Sequence, residues 1–292
     1  MTEQQLAEFR NKITFFADHR LAPFGAFHCF CLMVTFTSMA FAVYFTIKRS
    51  EKTLYYLFVF SSVLMWLGEA YKQFYESFPN GKFEYQWYYF PFQFCSTPLY
   101  VYPLCSILKK GKTYDALSLY SGTYCLFAGA SVLLISPTTV LGTGNGNYGI
   151  AIQSMLHHTL MMSTGISALV YSAKRGITLK LFFGNIAVFL SLLVVAEILN
   201  FGLPVWTGQD VNMYFISASY PTKGNPLGIF RDYYSSTPFG YPLLVVVYCL
   251  VFTEIACLFA FVAHRIANKK SRQISLCPEK ACSAAGDEEC YD

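Results

Sequence analysis

His157 and His158 stand side by side in the stretch SMLHHTLMM (154–162), inside a long apolar run. An imidazole in hydrocarbon without partners costs several kcal/mol, so each ring needs something to face. The other polar side chains in apolar runs are His28, Glu69, Lys72, Gln93, Cys95, Ser96, Asn185, Glu197, Asn200 and Glu254. An ionisable residue in such a setting points to function, together with its partner. A cysteine becomes a nucleophile when a base or a cation stands beside it. Cys95 and His158 are expected at similar depth. With Glu254 or Glu197 orienting the imidazole, they would make a carboxylate–His–Cys relay suited to acyl transfer or hydrolysis. Gln93 or Asn200 would donate to an oxyanion. Adjacent helical residues point about 100° apart. Only one of the two histidines can therefore face Cys95; that place falls to His158, and His157 turns to a neighbouring helix. Gln93, His157, Glu69 and Asn200 form the expected substrate-binding set.

Each of these residues also has a structural alternative. Cys95 can be a small apolar filler. Lys72 can snorkel to the interface and pair with Glu69 at i−3. Glu197 and Asn200, three residues apart, can bond neighbouring helices, as can the histidines. A second functional reading keeps the same residues for a small polar or cationic ligand, bound or transported without catalysis. Paired histidines and acids suit proton coupling or a metal.

The elements that must position these groups follow from composition. Of 292 residues, 54% are hydrophobic and 13% are charged, where a soluble domain carries roughly 25% charge. Seven runs, near 25–47, 53–73, 88–108, 115–136, 149–171, 180–202 and 241–264, approach the roughly 20 residues that cross a bilayer. The expected fold is all-α, a polytopic membrane protein of seven transmembrane helices. The loops after the first, third and fifth runs carry Lys48, Arg49 and Lys52; Lys109, Lys110 and Lys112; and Lys174, Arg175 and Lys180. Arg265, Lys269, Lys270, Arg272 and Lys280 follow the last run. The positive-inside rule then puts the N-terminus outside and the C-terminus in the cytoplasm.

Expected boundaries are an extracytoplasmic N-terminus (1–24), a seven-helix membrane domain (25–264) and a disordered cytoplasmic tail (265–292). Segment 203–240, aromatic and proline-rich, is too long for an ordinary connector. It is expected to cap the outer mouth. A helical rise of 1.5 Å per residue places Cys95 about 10 Å, and His158 about 14 Å, inside the outer boundary. The polar groups would then line an outward-opening pocket under the cap. No metal site and no cofactor motif is expected. Basic residues scattered in loops, with a net charge of +4, argue against a nucleic-acid partner. The expected partners are membrane lipids, with an acyl chain as the candidate substrate.

Local motifs add a resemblance. PFQFCSTPLYVYPL (91–104) resembles the Pro-Leu-His-Leu-Cys-Ser…Leu-Tyr…Pro-Leu signature of YwaF-like integral membrane proteins, distant relatives of animal transmembrane protein 164. FGAFH (24–28), GEAYK (68–72), LHHT (156–159) and NFGLPVWTGQDVNMYFI (200–216) are similar to that family's landmarks in the same order. The resemblance implies a polytopic helical protein. For the animal branch it implies phospholipid acyl transfer, with a cysteine in the third span and a histidine in the fifth. His158 matches that histidine. Gln93 stands where the family has its third-span histidine, and Phe92 where the animal branch has its cysteine. Cys95 stands at the bacterial cysteine.

Overall fold

The computed structural model describes residues 2–13, 21–141, 148–217 and 240–275. Among them the chain is helix and turn, with no strand. Helix α1 (Glu3–Lys12) starts at a capping box, in which Thr2 and Gln5 each satisfy the other's backbone N–H. Helices α2 (Ala26–Arg49) and α3 (Glu51–Ser77) follow, separated only by a break at Arg49 (φ −139°, ψ 51°). The remaining helices of more than one turn are α4 (Pro98–Leu108), α5 (Lys112–Ile135), α6 (Tyr148–Arg175), α7 (Leu179–Thr207) and α8 (Gly240–Ser275), with a single helical turn at Thr138–Leu141. Helix α8 continues past residue 264 into the segment expected to be a disordered tail. Residues 276–292, and 218–239 of the expected cap, lie outside the described residues.

Among the described residues, five helices are long and apolar enough to cross a membrane: α2, α3, α5, α7 and the stretch Leu243–Ile266 of α8. Two of the seven expected runs differ, each for a visible reason. The run 88–108 is not one helix. It makes short 3-10 turns at Trp87–Tyr89 and Phe94–Ser96 before the 11-residue α4 begins. Pro91 interrupts the run, because a proline disfavours the helical region for the residue before it, and Phe90 accordingly sits at φ −54°, ψ 131°; Pro98 opens α4 at its first turn. The helical depth assigned to Cys95 is therefore corrected, because that residue sits in a turn.

Helix α6 is the other case. Its 28 residues give it a length of about 42 Å, but its composition is too polar to mark it as a span. Its polar residues turn inward. Thr159 pairs with Thr35 of α2 at 2.6 Å, Ser163 with Ser38 of α2 at 2.7 Å, and Thr164 with Ser61 of α3 at 2.8 Å. Tyr102 of α4 donates to the Met161 carbonyl at 3.2 Å. Interhelical hydroxyl pairs are a normal means of joining membrane helices. They also run well past the histidines, so polar groups are not confined to one half of the bundle.

Against α5, α6 approaches closely enough to require glycine. A Cβ on Gly122 would lie 2.6 Å from the Leu169 nitrogen, and one on Gly165 would lie 2.8 Å from the Ser121 carbonyl. Helix α5 accommodates this contact with π turns at Ser121–Cys125 and Ser131–Ile135. Behind it, Tyr124, Phe189, Phe252 and Tyr248 stack in series. Centroid separations are 4.5 Å for Tyr124–Phe189 and 4.3 Å for Tyr248–Phe252.

The two ends of the bundle differ. At one end Lys174 donates to the Ile47 carbonyl at 2.7 Å, Arg175 lies 3.8 Å from both Glu51 and Asp115, and Lys109 lies over the Tyr55 ring. The three basic loops thus share one face. At the other end α1 docks beside the turn Pro79–Gly81, with Arg10 donating to the Tyr75 carbonyl.

Candidate functional site

The site forms where the end of α3, the turns preceding α4 and the middle of α6 meet. Helix α3 supplies Glu69, whose side chain is only 3% exposed. Its Oε1 is 2.8 Å from Lys72 Nζ and accepts from Gln73 Nε2 at 2.6 Å. The same Gln73 amide donates to the Tyr89 carbonyl at 2.7 Å, tying α3 to the turns beyond it. Lys72, ion-paired to the buried Glu69, is the cation held at this end of α3.

The histidines exchange the places expected for them. Nε2 of His157 lies 3.0 Å from the Cys95 carbonyl. A carbonyl only accepts, so the imidazole donates from Nε2. His157, not His158, therefore meets the Cys95 turn, and it meets the backbone rather than the thiol. His158 turns back along its own helix, with Nδ1 2.7 Å from the Ser154 carbonyl. That bond puts the proton on Nδ1 and leaves Nε2 bare in the neutral ring. His158 Nε2 is buried without a hydrogen-bond partner among the described residues. A base oriented through one nitrogen and bare at the other has the form that general-base catalysis requires.

The amide side chains expected to bind an oxyanion are engaged elsewhere. Gln93 donates to the Asn212 carbonyl at 2.9 Å. Asn200 holds both sides of Met213, donating to its carbonyl at 3.1 Å and accepting from its N–H at 2.6 Å. Gln209 accepts from the Trp87 N–H and donates to the Tyr85 carbonyl. Gln93 and Gln209 lace segment 208–217 to segment 85–93, and Asn200 ties the same segment to α7. They also hold Tyr214 and Phe215 at positive φ (57° and 60°), a region non-glycine residues occupy only under constraint.

The carboxylate–His–Cys relay is not assembled. Glu254 lies on the exposed face of α8 among Leu250, Val251, Leu258 and Phe261, a stripe at helical spacing that faces outward. Glu197 is half-buried on α7 and acts on Cys249 of α8. The acid that joins the cluster is Glu69. Sequence reasoning offered the Lys72–Glu69 pair as a snorkelling alternative, and that pair is present; it missed Gln73, Gln209 and Asn212. Gln73 carried a readable signal, four residues after Glu69 on one helix face. Among the described residues, no three His, Cys, Asp or Glu side chains converge as metal ligands would.

Beside the cluster, an apolar groove of about 350 Å³ runs between α3 and α6. Leu64, Gly68, Tyr71, Gln153 and Leu156 line it, and His157 stands in its wall. A family model described as the TMEM164 family matches residues 23–260. The chain belongs to the TMEM164 family. No curated protein and no solved structure matched it. TMEM164 family membership agrees with the relationship to transmembrane protein 164 drawn from the motifs, but not with the YwaF-like label itself, and the match spans every site residue described above. With the apolar helices, it identifies an integral, multi-pass membrane protein.

Proposed function

We propose that this TMEM164 family member crosses the membrane seven times, N-terminus outside and C-terminus cytoplasmic, and transfers or hydrolyses acyl groups of membrane lipids. The seven crossings add α6 and the stretch 88–108 to the five apolar helices. Helix α6 is enclosed by its neighbours, so its polar composition does not bar it from the bilayer. The orientation rests on the basic loops collected at one end.

The observation that carries the chemical reading is the junction of groove and cluster. An acyl chain lying in the α3–α6 groove would bring its ester toward His157 and the Cys95 turn. A reactive thiolate needs a neighbouring cation or base. Lys72 is the cation, and His158, bare at Nε2 and with its ring 5.3 Å from the His157 ring that meets the Cys95 turn, is assigned as the base. In the first step Cys95 Sγ gives its proton to His158 and bonds to the ester carbonyl carbon. The ester C–O bond breaks, and the lyso-lipid oxygen leaves with the proton. In the second step water or another lipid hydroxyl attacks the thioester and restores the thiol. Glu69 holds Lys72 in place.

The test is turnover of an acyl-labelled phosphatidylcholine by the purified protein in nanodiscs. Cys95→Ser and His158→Ala should lose activity by at least about 100-fold, the scale of one acid–base or nucleophile group. Both variants should remain monodisperse. Wild-type turnover in Cys95→Ser would refute the reading. A non-catalytic reading is favoured by one observation, that His158 Nε2 and Gln93 Oε1 are both buried acceptors without partners. A small donor ligand held there would bind equally well to Cys95→Ser.

A further inference from the structure

A second groove, of about 760 Å³, lies at the opposite end of the bundle, between α2 and α3. Its two walls are readable as helical stripes. On α2, Phe41 and Phe45 line it, and the same face reaches Lys48 three residues on. On α3, Tyr56, Val59, Phe60 and Val63 line it, and the face begins at Lys52, four residues before Tyr56. Each apolar stripe therefore runs on, within one helical turn of the groove-lining residues, to an exposed lysine. Lys48 lies over the Tyr44 ring and bonds its hydroxyl. The acid nearest in sequence, Glu51, faces Arg175. From Lys52 to Val63 the groove wall is about 16 Å long, close to the hydrocarbon depth of one leaflet.

From this geometry we infer that the α2–α3 groove is a binding site for an anionic phospholipid of the leaflet at the basic end. One acyl chain lies along Phe45, Tyr56 and Phe60, and the headgroup phosphate sits between Lys48 and Lys52. The apolar walls accept the chain of any phospholipid. The lysines select for negative headgroup charge, because each cation near an anionic lipid surface contributes about fivefold in affinity. The groove ends short of Glu69 and Lys72, so this site is independent of the proposed chemistry.

The experiment is native mass spectrometry of the full-length protein in detergent, titrated with dioleoylphosphatidylglycerol or dioleoylphosphatidylcholine. The wild type should retain phosphatidylglycerol in preference. Lys48→Gln/Lys52→Gln, both exposed positions, should reduce that preference roughly 30-fold, from two such contributions, while retaining phosphatidylcholine as before. Val63→Trp, which fills the groove, should reduce retention of both lipids. Lys110→Gln/Lys112→Gln, which leaves groove and lysines intact, should keep the preference. An unchanged preference in Lys48→Gln/Lys52→Gln would overturn the site. So would wild-type retention in Val63→Trp, or an equal loss in Lys110→Gln/Lys112→Gln, which would mean diffuse charge alone.

Discussion

Replacing Lys72 with methionine separates two accounts of the Glu69–Lys72 pair by magnitude. On an exposed helix an i, i+3 pair contributes about 0.2–0.5 kcal/mol, and its loss would barely register. Here the Glu69 side chain is 3% exposed and that of Lys72 is 22% exposed, at 2.8 Å. Removing one partner from a buried pair costs about 3–5 kcal/mol, because the other charge is left uncompensated. Gln73 still donates to Glu69, and Lys72 is partly solvated, so the lower end, about 3 kcal/mol, is expected for Lys72→Met. At about 2–4 °C per kcal/mol for a chain of this size, the melting temperature should fall by roughly 6–12 °C. Glu69→Gln added to Lys72→Met removes the stranded charge and should recover most of the loss. The assay is a double-mutant cycle by thermal unfolding of the four proteins in one detergent. A cycle coupling below about 0.5 kcal/mol, with Lys72→Met as stable as the wild type, would refute the buried-pair argument.

Other residues test the same framework. Gly122→Ala sets a Cβ 2.6 Å from the Leu169 backbone nitrogen and should cost at least about 1–3 kcal/mol, the usual penalty of overpacking. Gly202→Ala meets nothing within 4 Å and should melt like the wild type; similar melting of both variants would contradict the α5–α6 contact. His157→Ala strands the Cys95 carbonyl and should lose about 1–3 kcal/mol, read as a lower unfolding temperature that His157→Gln partly restores. Asn200→Leu removes both bonds to Met213, so limited proteolysis within 208–217 should quicken several-fold; unchanged cleavage would mean that the amide does not hold the turn.

Much of the fold was legible because hydrophobic runs near 20 residues are long, redundant signals. The runs at 25–47, 53–73, 115–136 and 180–202 fall within helices of nearly the same bounds, since no single side chain decides them. The exceptions turned on local backbone chemistry. Pro91 was visible in the sequence, yet a hydropathy window averages over it, and the turn holding Cys95 was read as helix. The π turns of α5 leave no sequence mark; Gly122 and Gly165 need glycine because two backbones touch, a fact of packing. For the site, the residues were found more readily than their partners. Which of two adjacent histidines faces a given neighbour depends on a helix rotation that sequence spacing does not fix. Glu254 looked costly in an apolar run, but it lies on the outward face of α8, while Glu69, read as half of a snorkelling pair, is the buried acid.

The account rests on Cys95 being activated by its surroundings. The direct measurement is the rate at which a lipid-like thiol-reactive probe modifies Cys95 in the purified protein, located by peptide mass spectrometry because the chain has ten cysteines. Wild type, His158→Ala and Lys72→Met are compared. The account predicts that Cys95 is modified faster than the buried Cys105 and Cys125, and that either substitution slows it about tenfold or more, as loss of a base or a neighbouring cation should. Equal, slow modification of Cys95 in all three proteins would mean a structural cysteine and would contradict acyl transfer at this cluster.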